Sequence, residues 1–426
     1  MTSRERLLLT LNHQEPDRVP VDLGSTGVSG IMVSPYAELR RALGVSGDLP
    51  RVSDLLQMLG EVEIPVLEKL GCDVIGVTPV TRTFGIAYRD WKPWRMFDGT
   101  EVAVPGQFHY RVDDNGDLLL SPGGDVSKTP SGRMPKNGYY FDLLPRQQPL
   151  DWDHLNPAEF AEQFKRIRDE ELTHLQTTAD YLYRNTDFAL MGGFGERGLG
   201  NLPLVLAPEV DQPKGIRNFD DWLVAHITHP EYIKEINAIH AARITENLEL
   251  LRQAVGDRLV AVYLSGTDFG TQRGEFASPC VYRELYQPYH KQINDWVHAH
   301  TTWKTFFHSC GSVYRLIPEF IAAGVDILNP VQCSAANMEA ERLKREFGDR
   351  LVFWGGGVDT QRTLPFGTPE EVRKEVSERI RTFAPGGGYV FNTVHNTQAN
   401  TPVGNLLAMY DAVREAGRYP ISERPR

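Results

Sequence analysis

Residues 351–393 read LVFWGGGVDTQRTLPFGTPEEVRKEVSERIRTFAPGGGYVFNT, and this stretch predicts the class of fold. Two short apolar runs, Leu351–Trp354 and Tyr389–Thr393, are typical of buried strands. Between them, Thr368 as N-cap and a proline in the first turn predict a helix over Pro369–Phe383. A strand, a helix and a strand in this order indicate an α/β fold.

Similar β-rich runs recur along the chain and alternate with helical patterns, among them a helix expected over residues 278–300. The predicted strands are Val19–Leu23, Val74–Thr78, Phe188–Gly192, Leu259–Gly266, Thr305–His308, Asp326–Asn329, Leu351–Trp354 and Tyr389–Thr393. Eight parallel strands are the number that closes a (β/α)8 barrel. We therefore predict a single TIM barrel over residues 1–426.

Residues 84–146 interrupt the alternation, because glycine, proline, aspartate and aromatic residues are dense there. The segment contains the turn pairs Asp98-Gly99, Asn115-Gly116 and Asn137-Gly138. Alternating polarity in residues 108–112 and the apolar run Leu118–Leu120 flank the second pair and predict one hairpin. We expect a β-hairpin subdomain that is inserted after the second strand and lies over the barrel mouth, as a lid or an interface.

Composition favours small-molecule chemistry. The formal net charge of -11 argues against binding to nucleic acid or to an anionic membrane surface. No uninterrupted apolar run reaches the length of a membrane span, and the first residues are too short and amphipathic for a secretory signal, so we expect a cytoplasmic protein. The four cysteines are too few for a disulfide framework and suit free thiols or metal ligands.

The sequence His308-Ser309-Cys310-Gly311 follows the apolar run at residues 303–307. Side chains two residues apart on a strand return to the same face, so the imidazole and the thiolate can bind one metal ion if the strand persists through Cys310. Zinc readily takes nitrogen and sulfur ligands. The structural alternative is a histidine satisfied by a hydrogen bond beside a small buried thiol.

A metal site needs at least a third protein ligand, and two residues are candidates. His395, after the last predicted strand, can reach across the barrel mouth, and we favour it. Cys333, after the neighbouring sixth strand, is the alternative, although we expect it to be a packed thiol, as we expect of Cys72 and Cys280. Three protein ligands and an open position would indicate a catalytic site, whereas four would indicate a structural one.

Polar residues follow the other predicted strands, and in a (β/α)8 barrel such positions converge on the face that carries the active site. These groups are Gly24-Ser25-Thr26, Glu196-Arg197, Asp268 to Gln272, Asn329 to Cys333, Gly355-Gly356-Gly357 with Asp359, and Asn392, His395, Asn396 and Gln398. Each alone has a structural explanation, such as capping a turn. The predicted catalytic residues are Asp268, Gln332, Asn392 and His395. The predicted substrate-binding residues are Gln272, Asn329 and Asp359.

Taken together, these motifs make residues 263–412 similar to the uroporphyrinogen decarboxylase superfamily, which includes cobalamin-dependent methyltransferases. The matching runs are Asp268-Phe269-Gly270-Thr271-Gln272-Arg273-Gly274, Phe307-His308-Ser309-Cys310-Gly311, Asp326-Ile327-Leu328-Asn329-Pro330-Val331-Gln332, Phe353-Trp354-Gly355-Gly356 with Asp359, and Gly388-Tyr389-Val390-Phe391-Asn392 through His395. The resemblance extends weakly to Pro16-Asp17-Arg18-Val19-Pro20 and implies a single (β/α)8 barrel.

The sequence departs from the decarboxylase branch at two places. That branch carries a Met-Arg-Gln-Ala-Gly-Arg segment after the first strand to hold the substrate carboxylates, whereas this chain reads Leu23-Gly24-Ser25-Thr26-Gly27. The aspartate that grips the pyrrole nitrogens after the second strand is replaced in Val77-Thr78-Pro79-Val80. Without cations, a substrate with many carboxylates would stay uncompensated. Porphyrinogen decarboxylation is therefore not expected.

The methyltransferase branch binds zinc through His-x-Cys and a later cysteine in a Gly-Cys-Gly turn. His308 and Cys310 match the first part, and His395 stands near the place of the later cysteine. The resemblance implies methyl transfer between a small methylated substrate and a corrinoid (cobalamin) protein, or from that corrinoid to tetrahydrofolate or a thiol. In this hypothesis zinc polarises the heteroatom, and Asp268 positions or protonates the substrate. The resemblance is also compatible with a homodimer.

Two alternatives stay open at this point. The first is a metal-free decarboxylase or other lyase that acts on a small carboxylic acid, in which His395 and Asp268 perform acid and base catalysis. The second is a non-catalytic subunit that binds a corrinoid protein, with the insertion at residues 84–146 as its docking surface.

Overall fold

The computed structural model describes residues 1–193 and 198–421. Its centre is a parallel sheet of seven strands in which each strand pairs with its neighbours in chain order. The strands are β1 (Val74–Val77), β2 (Ala189–Gly193), β3 (Leu259–Ser265), β4 (Lys304–His308), β5 (Ile327–Asn329), β6 (Val352–Trp354) and β7 (Tyr389–Val390). Seven of the eight predicted strands are therefore confirmed.

The backbone of residues 20–22 joins the two edges of this sheet. The N–H of Asp22 donates to the carbonyl of Phe391, and the N–H of Phe391 donates to the carbonyl of Pro20. On the other side, the N–H of Asp73 donates to the carbonyl of Val21. The prediction of a regular strand over Val19–Leu23 is wrong, because Pro20 has no N–H to donate to a ladder. The segment nevertheless closes the sheet into a TIM barrel.

The barrel interior is a packed apolar core rather than a pore. Its buried side chains include Val74, Met191, Tyr263, Phe306, Ile327, Val352, Trp354 and Val390. Leu7 and Leu11, from the first helix, join the same cluster and cover the amino-terminal end of the strands. A second, larger apolar cluster lies between the outer faces of the strands and the surrounding helices. This arrangement leaves the carboxyl ends of the strands as the face on which a site can form.

The helices run between the strands as the sequence predicts. They are Ser3–Leu11, Val33–Ala42, Ile64–Leu70, Pro157–Ala161, Asp169–Asn185, Leu202–Leu206, Phe219–Thr228, Pro230–Val255, Pro279–Leu285, Gln287–His300, Ile317–Ala322, Ala340–Phe347, Thr363–Phe366, Pro369–Phe383 and Val403–Ala416. The helix over Pro369–Phe383 is confirmed, and Thr368 and Glu371 form a capping box at its start. The single helix expected over residues 278–300 is wrong, since it breaks at Tyr286, just before a proline restarts it.

The insertion after β1 consists of antiparallel strands. They are Thr81–Arg82, Ile86–Ala87, Lys92–Arg95, Glu101–Val104, Tyr110–Val112, Leu118–Leu120, Gly132–Met134 and Asp142–Leu143. The hairpin predicted around Asn115-Gly116 is confirmed, with Tyr110 opposite Leu120. A separate apolar core joins these strands to the short pair Val52–Asp54 and Leu59–Gly60. The boundaries 84–146 and a role as a lid stay predictions.

Among the described residues, no helix has both the length and the apolar composition needed to cross a bilayer.

Candidate metal centre

His308 is the last residue of β4, and the parallel register pairs it with Asn329 at the end of β5. The two side chains therefore lie next to each other on the inner side of the barrel mouth. His308 Nδ1 is 2.5 Å from Asn329 Oδ1. Asn329 Nδ2 in turn donates to the backbone carbonyl of Trp354, at 2.8 Å. The ring of His308 is thus held on its Nδ1 side, which leaves Nε2 directed towards the next residues of the loop.

Cys310 lies in the loop after β4, and its Sγ is 3.2 Å from His308 Nε2. Gly311 makes this turn possible, with a φ of 85° and the neighbouring loop so close that a Cβ would lie 2.4 Å from the carbonyl carbon of Gly270. The backbone N–H of Cys310 donates to Asp268 Oδ1 at 2.7 Å. The nitrogen of His308 and the sulfur of Cys310 therefore converge. The strand does not continue to Cys310 as the prediction required, because β4 ends at His308 and a tight turn of the loop brings Cys310 back towards the histidine.

His395, in the loop after β7, completes the group. One donor atom from each of His308, Cys310 and His395 lies within 4.8 Å of the other two. Tetrahedral zinc with ordinary N and S bond lengths holds its ligand atoms about 3.4–3.6 Å apart. The limit of 4.8 Å on the separation of the donor atoms therefore exceeds the bound geometry by about 1.2–1.4 Å, which is within the range of side-chain rotation. The residues fit a zinc ion, with one position left open.

Cys333, the alternative third ligand, is not part of this group. Its thiol lies near Gly356, and burial raises its pKa to about 11, so that it remains a packed thiol as predicted. Cys72 is buried as well. The prediction that Cys280 is packed is wrong, because it lies exposed in the first turn of the helix Pro279–Leu285.

Burial dominates the protonation of the donor group. It raises the pKa of the Cys310 thiol well above its usual value, and the carboxylate of Asp268 adds to this effect. It lowers the pKa of His395 to about 4, with a smaller contribution from His308. The metal-free site therefore holds a neutral thiol and a neutral imidazole. A divalent cation would displace the thiol proton, because a coordinating thiol is deprotonated.

Two of the predicted catalytic residues lie beside this group. Asp268 is half exposed, and its Oδ1 is 3.5 Å from His308 Nε2. Gln332 is buried, and its Oε1 accepts a hydrogen bond from the N–H of Gly311 at 2.9 Å. Gln272 follows in the same loop as Asp268, with an exposed side chain and a backbone carbonyl that accepts from Ala336. The loops after β3, β4 and β5 are thus tied together around Cys310.

The remaining predicted residues are distributed over different places. Asn392 Nδ2 donates to the carbonyls of Asp22 and Ser29, and its buried Oδ1 has no hydrogen-bond partner among the described residues. Asp359 does not reach the donor group but lines a separate cleft with Glu375. Glu196-Arg197, also predicted at the mouth, lies outside the described residues.

Asp22 is a residue of the barrel mouth that was not among the candidates predicted from the sequence. Its carboxylate accepts hydrogen bonds from the N–H and Oγ of Ser25 and from the indole Nε1 of Trp354. Asp22 is almost fully buried inside the barrel, at 1% exposure. The available signal was an acidic residue within the otherwise apolar run Val19–Leu23. Asp22 connects the first mouth loop, residues 24–30, to the strand that also orients Asn329.

A large cavity lies outside the group of three donor residues. It has a volume of about 1280 Å³ and reaches from the barrel mouth to the insertion, with Gly27, Thr78, Arg82 and Trp91 in its lining. None of the three donor residues lines it. The candidate metal site is defined by its three donor atoms, because reactivity depends on the geometry of the reactive groups and not on the size of a nearby cavity.

Comparisons with known proteins agree with this architecture. A methyltransferase from Methanosarcina mazei has the same fold, with a TM-score of 0.56 at 15% identity over 97% of this chain and 99% of that one. Uroporphyrinogen decarboxylase from Psychromonas ingrahamii is 35% identical over 72 residues, which are 17% of this chain and only 20% of that relative's length. The family model "Uroporphyrinogen decarboxylase (URO-D)" matches residues 203–416, half of the chain. The chain belongs to the uroporphyrinogen decarboxylase family.

Proposed function

We propose that the protein is a methyltransferase that moves a methyl group between a small O-, N- or S-methylated compound and a corrinoid carried by a partner protein. Transfer from that corrinoid to tetrahydrofolate or a thiol would use the same site. One observation carries the proposal, namely the convergence of His308, Cys310 and His395 within 4.8 Å at the mouth of this family's barrel. Two nitrogens and one sulfur form a ligand set that zinc accepts.

Methyl transfer from oxygen or nitrogen is slow without help, because the electron pair of the broken bond stays on the heteroatom. A cation or a proton must neutralise that pair as the methyl group leaves. When bound, zinc would supply a Lewis acid for the heteroatom. Three protein ligands leave one tetrahedral position for the substrate, which is the arrangement of catalytic rather than structural sites.

The chain's own residues have distinct tasks in this proposal. His308, Cys310 and His395 hold the metal. Asp268 is half exposed and its Oδ1 lies 3.5 Å from His308 Nε2, so its carboxyl group would be next to a heteroatom bound at the open metal position and could position or protonate it. Gln332 keeps the Cys310 loop in place through the N–H of Gly311.

Two further residues contact the substrate in this proposal. Asn392 cannot turn its amide, because two backbone carbonyls hold its nitrogen, and its Oδ1 is therefore available to accept a hydrogen bond from the substrate. The exposed Gln272 can reach a molecule that enters through the mouth. Asp359 lines another cleft, and its role in substrate binding stays a prediction.

The test combines metal analysis with a methyl-transfer assay. The protein is purified without a metal-affinity tag, and zinc is measured in the wild type, Cys310→Ser and His395→Ala. The same proteins are incubated with cob(I)alamin and a panel of methoxylated and N-methylated compounds, and formation of methylcobalamin is followed by absorbance. We expect near-stoichiometric zinc in the wild type, its loss in both variants, and a parallel loss of methyl transfer.

Other outcomes would favour the rival functions. Methyl transfer that is unchanged in Cys310→Ser would contradict the role of the metal. A zinc-free wild type that releases carbon dioxide from small acids would support the lyase. Tight binding of a corrinoid protein without turnover on the panel would support the non-catalytic subunit.

A further inference from the structure

The amide of Asn329 is held in one orientation. Asn329 is fully buried, and its two polar atoms face two different partners, the carbonyl of Trp354 at 2.8 Å and His308 Nδ1 at 2.5 Å. A backbone carbonyl only accepts hydrogen bonds, so the NH2 group of Asn329 must face Trp354. The Oδ1 atom must then face His308, because turning the amide would place two acceptor oxygens against each other.

This orientation decides the tautomer of His308. Since Asn329 Oδ1 can only accept, Nδ1 of His308 must carry the proton of the hydrogen bond. In the neutral ring, Nε2 then carries the lone pair. That atom faces Cys310 Sγ at 3.2 Å and Asp268 Oδ1 at 3.5 Å. The opposite tautomer would place a proton on Nε2 and block it as a metal ligand.

We infer that Asn329 is a positioning residue that sets the tautomer and ring orientation of His308, so that Nε2 is presented to a divalent metal ion such as zinc. This inference rests on the proposed function for the identity of the metal site. It changes the role predicted from the sequence, because both polar ends of Asn329 are committed to protein partners. A hydrogen bond to the second nitrogen of a ligating histidine commonly raises the affinity of the site.

The support behind Asn329 is rigid. Its position next to His308 follows from the pairing of β4 with β5, and the carbonyl it binds belongs to Trp354 at the end of β6. The indole of Trp354 is fully buried and donates to the carboxyl group of Asp22. The side chain that accepts from His308 is therefore held by β5, by β6 and, through Trp354, by Asp22. A change of its rotamer would break these hydrogen bonds.

The first measurement is zinc affinity, determined by competition with a chromogenic chelator. Asn329→Leu keeps the volume and removes the acceptor, and Asn329→Asp keeps an acceptor for His308. Asn294→Leu is the matched control, because Asn294 is another buried amide that donates to a backbone carbonyl, that of Ala323, but lies on the helix Gln287–His300 and not at the end of a strand. We expect about a 10- to 100-fold loss of affinity in Asn329→Leu. We expect only a few-fold change in Asn329→Asp and none in Asn294→Leu.

The second measurement needs no metal. Long-range proton–nitrogen spectra of histidine-labelled apoprotein report which ring nitrogen carries the proton, and His308→Gln identifies the signal of His308. We expect Nδ1–H in the wild type and a mixture of tautomers in Asn329→Leu. Wild-type affinity in Asn329→Leu, or Nε2–H in the wild type, would overturn the inference. A wild type with Nδ1–H that binds no zinc would overturn the proposed metal function and the metal part of this inference, but not the effect of Asn329 on the tautomer.

Discussion

Replacement of Asp22 by asparagine should remove a pH dependence of stability that the buried carboxyl group imposes. Asp22 is 1% exposed, and burial raises its pKa from 3.8 to about 6, against the opposing effect of its hydrogen bonds from Ser29, Ser25 and Trp354. The folded protein therefore favours the protonated acid. In the unfolded chain the same group releases its proton near pH 4.

The sign and size of the effect follow from this difference. Between about pH 4 and 6 the folded state binds a proton that the unfolded state has lost, so the free energy of unfolding falls as pH rises. The folded and unfolded pKa values differ by about two units, and each unit corresponds to about 1.4 kcal/mol, so the full effect approaches about 3 kcal/mol. Above about pH 6.5 both states are ionised, and the contribution of Asp22 no longer changes.

The assay is urea unfolding followed by circular dichroism at a series of pH values from 4 to 7. The informative quantity is the free energy of unfolding of the wild type minus that of Asp22→Asn, because other groups titrate equally in both proteins. This difference should fall by up to about 3 kcal/mol as pH rises and then level off. Loss of hydrogen bonds in the variant adds a constant offset without changing the slope. A difference that stays constant with pH would refute the reasoning.

Three further substitutions test the site and the fold. Cys333→Ala should leave the zinc content unchanged, because Cys333 lies outside the donor group; loss of zinc on elemental analysis would show that the third ligand is misassigned. Tyr88→Phe removes the hydroxyl that accepts from the buried N–H of Leu55 and should cost about 1–3 kcal/mol in urea unfolding, whereas an unchanged midpoint would mean that this N–H finds another partner. Arg6→Met removes one of the two cations beside the fully buried Asp73, at 2.6 Å, and should cost up to about 3 kcal/mol in urea unfolding. A neutral effect would show that Arg18, at 2.7 Å, alone compensates the charge.

The sequence by itself determined the elements that depend on neighbouring residues. The capping box of Thr368 and Glu371 and the hairpin around Asn115-Gly116 are local, because each depends on residues a few positions apart. The order of strands and helices limited the architecture to a parallel barrel before any contact was known. The short spacing of His308 and Cys310 was also sufficient to propose half of a metal site.

Only the tertiary structure decided what joins distant parts of the chain. It places His395 with His308 and Cys310 and leaves Cys333 apart, and it closes the barrel through residues 20–22 without a regular strand. It also places Asn329 Oδ1 2.5 Å from His308 Nδ1. The physical reason is the same in each case. Hydrogen bonds and ligand distances across the barrel depend on how strands register against one another, and that register is set by packing of the whole core rather than by any local pattern of residues.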